Sequence, residues 1–114
     1  MQLKWEPVGE KLSFLGVDFD ETIAHSSGFP DFIPTTPFEG AREALWALKS
    51  RRGYKIIIYT ARHWGDQGAI EKWCKYYSIP FDGIICGKPL FYRIIDDRNI
   101  EFRGSWNDVL DKLL

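Results

Sequence analysis

The chain has 114 residues, enough for one small domain with a single core and too few for two. Its 45% hydrophobic and 27% charged residues are the balance of a folded globular protein and exclude a disordered chain. Fifteen basic against sixteen acidic residues leave a net charge of −1, so no global basic field favours non-specific nucleic-acid binding.

The first residues, MQLKWEPVGEKL, are broken every few positions by a charge or a proline and do not resemble a secretory signal. The longest apolar runs, such as 56–59, are only a few residues, so no span of a bilayer is expected. Residues 11–17, KLSFLGV, read as a strand. The Pro- and Gly-rich stretch 25–38 reads as a loop. In EGAREALWALKSRRG, Ala41, Ala44, Leu45 and Leu48 recur at helical spacing, and Gly53 marks the end of that helix.

Residues 54–59, YKIIIY, are dense in isoleucine and bounded by turn residues, which predicts a buried strand. Residues 66–78 read as a second helix with Ile70, Trp73, Cys74 and Tyr77 on its apolar side. FDGIIC (81–86) and FYRII (91–95) are two more strand candidates, and GSWNDVLDKLL is a closing helix with Ser105 as its N-cap. Cys74 and Cys86 lack CxxC spacing and read as reduced, buried thiols of a cytoplasmic protein.

Alternating strands and helices predict one α/β domain over residues 1–114, with a mainly parallel central sheet. One joint strains this pattern. Only residues 87–90 separate FDGIIC from FYRII, whereas a parallel crossover takes a dozen or more, so one of the two is short, irregular or at the sheet edge.

Each strand candidate ends in polar residues that folding alone does not demand. LSFLGV leads to Asp18, YKIIIY to Thr60, FDGIIC to Gly87-Lys88, and FYRII to Asp96-Asp97. Open α/β sheets bind ligands beyond the carboxyl ends of their strands. Asp18 and Asp20 are two apart, so in extended chain both face one way while Phe19 faces the core. Clustered carboxylates of this kind suit Mg²⁺, which keeps waters and takes oxygens from a substrate phosphate. Thr60 and Lys88 can hold the phosphate oxygens.

VDFDET resembles the DxDxT signature of the haloacid dehalogenase (HAD) superfamily. IIIYTAR, GKP and IIDDR resemble that family's second, lysine and acidic motifs, in the family's order. YTAR and IDDR are also similar to the phosphatase domains of polynucleotide kinases, and GKPLFYRIIDDRNIEF to small phage and bacterial HAD-like hydrolases. The resemblance implies a three-layer, Rossmann-like fold without a cap domain. It further implies a Mg²⁺-dependent phosphohydrolase in which Asp18 is the nucleophile and forms an aspartyl-phosphate. Asp20 would be acid and then base, with Asp18 lowered and Asp20 raised in pKa. Asp18, the Asp20 carbonyl and Asp96 or Asp97 would hold the metal, and Thr60, Ala61 and Lys88 the phosphate, while Thr22 fixes the turn. The sequence departs from the pattern twice: the segment from Lys88 to Asp96 is short, and Glu21 stands where glycine is frequent.

Two other classes compete. A receiver-type phospho-accepting domain also uses acids, Thr and Lys, but its acidic pair precedes the phosphorylated Asp, whereas here the pair comes last. A catalytically silent phosphate-binding module is the third. The expected substrate is an exposed phosphate ester: a nucleic-acid end, a nucleotide or a phosphoprotein.

Overall fold

The computed structural model describes residues 13–28, 31 and 33–114. Along them run β1 (Phe14–Val17), β2 (Ala24–Ser26), β3 (Pro34–Pro37), α1 (Ala41–Arg52), β4 (Lys55–Tyr59), α2 (Gln67–Tyr76), β5 (Gly83–Ile85) and α3 (Trp106–Leu113). β1, β4 and β5 form a parallel sheet in the order β1-β4-β5, with Val17 level with Ile58 and Tyr59 level with Ile85. The result is a compact α/β domain with three described helices. No described helix is long and apolar enough to cross a membrane.

β4 holds the centre because its isoleucines face both ways. Ile56 and Ile58 are fully buried, each contributing roughly 2 kcal/mol of apolar burial. Ala41, Ala44, Leu45 and Leu48 are buried along one stripe of α1, as their spacing predicts, and α1 packs against α3. The α1 chain stops at Gly53, whose φ of +71° suits glycine and whose N–H caps the carbonyls of Leu48 and Lys49. Ser105 caps α3 as expected, its Oγ accepting from Asp108 N at 3.4 Å. Trp106 is buried and donates its indole N–H to the Thr22 carbonyl at 2.9 Å, tying α3 to the turn after β1.

Three expectations need correction. The stretch 25–38 is not wholly loop, because β2 and β3 pair as an antiparallel ribbon. Its prolines are tolerated since neighbouring residues supply the donors: Ser27 N to Ile33 O and Phe38 N to Ile23 O, both 2.8 Å. Phe29, Pro30 and Phe32 lie outside the described residues, as do Lys11 and Leu12 of the first strand candidate.

FYRII is not a strand; Phe91, Tyr92, Ile94 and Ile95 are exposed. Its residues have strand propensity, but the four-residue joint cannot carry the chain across to a parallel position beside the sheet. The outer edge of β1 therefore has no strand partner among the described residues. Trp46 reads from the sequence as a core residue, but it is half exposed, with its indole N–H donating to Ser78 O at 2.9 Å.

Candidate functional site

β1 ends at Val17, and the next three residues alternate as an extended chain requires. Phe19 is fully buried against Trp73, while Asp18 and Asp20 turn outward. The chain then folds tightly: the amides of Ile23 and Ala24 both donate to the Phe19 carbonyl at 3.0 Å. Glu21 takes a left-handed φ of +58°, which explains why glycine is at home at this position. Its Oε1 accepts from Ser26 N at 2.9 Å, linking the turn to β2.

Asp18 meets two groups from other parts of the turn and sheet. Thr22 Oγ1 donates weakly to its Oδ2 at 3.4 Å, and Lys88 Nζ stands 3.7 Å from its Oδ1. Burial raises the Asp18 carboxyl above its ordinary value of 3.8, opposed by the Lys88 ammonium and a hydrogen bond from the Phe19 amide. The expected lowering belongs to a metal-bound carboxylate; in the metal-free chain desolvation outweighs the nearby positive charge.

Asp20 has a different set of partners. Arg62 reaches it as a fork, Nε to Oδ2 at 2.9 Å and Nη2 to Oδ1 at 2.7 Å, and Ser26 Oγ lies 2.5 Å from Oδ1. Neither partner follows from the sequence. The spacing of TAR behind β4 was the available signal for Arg62, whereas nothing marked Ser26.

The turn after β4 and the turn after β5 are joined by backbone hydrogen bonds. Thr60 N donates to Ile85 O, Gly87 N to Arg62 O, and Lys88 N to Thr60 O, each at 2.9 Å. Thr60 is 1% exposed. Its Oγ1 accepts from Arg62 N at 3.2 Å, and Thr60 is not in the lining of the cavity that holds Asp18 and Lys88. Ala61 is exposed on the same turn. Lys88 crosses from the β5 turn over the Tyr59 ring, 5.2 Å from its centroid, to reach Asp18.

Asp18, Thr22, Tyr59 and Lys88 line a cavity of about 580 Å³ whose far wall includes Ile94, Asp96 and Arg98. Asp96 thus shares this cavity with Asp18, its Oδ1 accepting from Arg98 N at 2.9 Å. Asp97 is exposed and not part of the wall. Among the described residues no three His, Cys, Asp or Glu side chains gather closely enough to hold a metal. The acidic pair follows an irregular segment rather than a strand, so the sheet does not carry it to the mouth beside Asp18 and Asp20. Asp18, Asp96 and Glu101 are the carboxylates in the lining of this cavity.

His25 is exposed and stacks on Phe38 at 3.8 Å between centroids. Phe38 itself packs on the core and meets Phe102 edge-on, so it is a packing residue. Cys74 and Cys86 are buried free thiols, as expected, and burial pushes Cys74 up to about 12.

No protein-family model matches the chain, and no curated protein is significantly similar to it in sequence. In fold the chain is similar to a structural-genomics target from Vibrio cholerae solved by crystallography. The TM-score is 0.66 at 23% identity, over 89% of this chain and 98% of that one. At that identity the likeness concerns the fold.

Proposed function

We propose that the chain is a capless phosphohydrolase of the HAD type, acting on phosphate monoesters through an aspartyl-phosphate on Asp18. One observation carries the reading: Lys88 Nζ lies 3.7 Å from Asp18, and the Lys88 amide is hydrogen-bonded to the Thr60 carbonyl. A carboxylate and an ammonium thus meet at one cavity, and a buried hydroxyl ends the strand between theirs, a group set that supports nucleophilic phosphoryl transfer.

In the first step an Asp18 oxygen attacks phosphorus and the ester P–O bond breaks. The departing oxygen takes a proton from Asp20. Asp20, now a carboxylate, removes a proton from water, which attacks the same phosphorus and breaks the bond to Asp18. Inorganic phosphate leaves, Asp18 is restored and Asp20 is protonated again. For that transfer one Asp20 oxygen must turn from Arg62 and Ser26, which hold both of its oxygens in the free chain, toward the ester. Arg62 fixes the direction of the Asp20 carboxyl. The Thr60 hydroxyl and Lys88 ammonium hold the non-bridging oxygens as charge builds on them.

Mg²⁺ is usually bound by one or two carboxylates together with substrate phosphate and water. Asp18 and Asp96, which line the same cavity, would be those carboxylates. When bound, the ion would neutralise phosphate charge and offset the desolvation that raises Asp18.

The test is release of inorganic phosphate from an aryl phosphate with Mg²⁺. Turnover should be lost with EDTA and abolished in Asp18→Asn, whose amide is a poor nucleophile. A single burst of protein phosphorylation without turnover would instead indicate a receiver-type domain, and binding without either would indicate a silent module.

A further inference from the structure

We propose that Trp64 is a stacking platform for a flat ring on the leaving alcohol, which makes a mononucleotide-sized phosphate ester the preferred substrate class. The inference rests on the phosphohydrolase reading for the position of the phosphate, and on the geometry of Trp64 for the rest.

Asp20 protonates the ester oxygen, so the organic part of the substrate leaves past Asp20 and its partner Arg62. Trp64 follows Arg62 by two residues and opens a short 3-10 turn, Trp64–Asp66. That turn is held at its start by His63, whose Nδ1 accepts from Gly65 N and whose carbonyl accepts from Asp66 N, both at 2.9 Å. The indole lies against Gly87, where an added Cβ would stand 3.3 Å from the indole Nε1 and 3.7 Å from Cδ1. Gly87 adjoins Lys88 and donates its N–H to Arg62 O. Trp64 is therefore fixed between the two phosphate-binding turns, yet it remains 53% exposed.

An isolated exposed apolar residue on a surface calls for no explanation. An indole with one edge against a glycine beside the site, and half its surface in water, is different. Its exposed surface offers aromatic contact at low entropic cost, which suits a ring rather than an alkyl chain. The net charge of −1 provides no track for a long polyanion, so the ring belongs to a small ester and not to a polymer.

Equilibrium binding in the Asp18→Asn background, which removes turnover, tests the platform. Affinities for a nucleoside 5′-monophosphate, phenyl phosphate and ribose 5-phosphate are compared by calorimetry. The nucleotide should bind ~5- to ~100-fold more tightly than the sugar phosphate, the span expected for one stacked base. Adding Trp64→Ala should remove that preference, and Trp64→Phe should keep most of it. Phenyl phosphate should fall between the other two.

Equal affinity for the nucleotide and the sugar phosphate, no binding of either, or a preference that survives Trp64→Ala would each overturn the platform. Phosphate release by the wild-type chain is scored separately. A Trp64-dependent preference without any wild-type turnover removes the hydrolase reading and keeps the platform, while turnover without the preference does the reverse.

Discussion

Arg62→Ala separates positioning of the acid from binding of the phosphate. In the folded chain the guanidinium holds both oxygens of Asp20, at 2.9 and 2.7 Å, from a side chain only 16% exposed. Hydrogen bonds to a charged partner contribute about 1.5–3 kcal/mol. Solvent reaches Asp20, so the loss should lie near the low end, about 1–2 kcal/mol. For a domain of this size that is a drop in Tm of roughly 5–10 °C, and the chain should still fold.

The larger effect should be on turnover. With Arg62 gone, Asp20 keeps only Ser26, and a carboxyl misplaced by an ångström costs on the order of 100-fold. Lysine cannot reproduce the fork, so Arg62→Lys should recover stability better than rate. The assay is a double-mutant cycle on kcat for an aryl phosphate. If Arg62 works through Asp20, Arg62→Ala should cost ~100-fold in the wild-type background and almost nothing in Asp20→Asn. Equal losses in both backgrounds, carried mainly in KM, would refute positioning and make Arg62 a phosphate ligand.

Three shorter predictions follow from the same neighbourhood and from the core. Burial raises Asp18 in the metal-free chain, so its carboxyl should titrate above a free aspartate when followed by NMR without Mg²⁺. Lys88→Met removes the opposing charge and should move that titration further up; an unmoved titration would break the link between the two residues. At Glu21, with φ of +58°, Glu21→Gly should change stability by less than about 1 kcal/mol, since relief of strain offsets the lost bond to Ser26. Glu21→Val should be clearly worse in a thermal melt, because a β-branched side chain is poorly tolerated there.

Asp82 accepts from Lys49 Nζ at 2.6 Å and from Ile56 N at 2.8 Å. Desolvation opposes these contacts, but together they hold its carboxyl below 3.8. A depressed acid stabilises the fold above its unfolded value and loses that contribution as pH falls through the folded one. Asp82→Asn should therefore be less stable than wild type at neutral pH, with the gap closing below pH 3.8. A constant gap in denaturant titrations across that range would contradict the assignment.

What could be read from the sequence was what short-range periodicity encodes. The isoleucines of β4, the alanine-leucine stripe of α1 and the Ser105 cap each specify their element within a few residues. The same locality brought out Asp18, Thr60 and Lys88, because each directly follows an apolar run. FYRII shows the limit: its composition suits a strand, but a strand needs an edge it can reach, and the four residues after Cys86 do not allow it. The ribbon of β2 and β3 was hidden by prolines whose missing N–H groups are covered by neighbours. Arg62 and Ser26 were invisible as partners of Asp20 for another reason. They approach it across 42 and 6 positions by tertiary packing, which no spacing rule predicts.

The backbone bonds joining the turns after β4 and β5 act as a gauge. Thr60 and Lys88 follow adjacent strands, and the Lys88 amide donates to the Thr60 carbonyl at 2.9 Å, so the backbone ties their attachment points together. Side-chain replacement can change how strongly an oxyanion is gripped, but not the separation of the jaws. Only slippage of β5 along β4 could reset it. That slippage would carry a residue with a Cβ to the place of Gly83, where the Cβ would stand 3.2 Å from Ile57 Cδ1. Tetrahedral oxyanions close to phosphate in size should thus compete with one another at this mouth, and planar or smaller anions should not, whatever residue is placed at position 88.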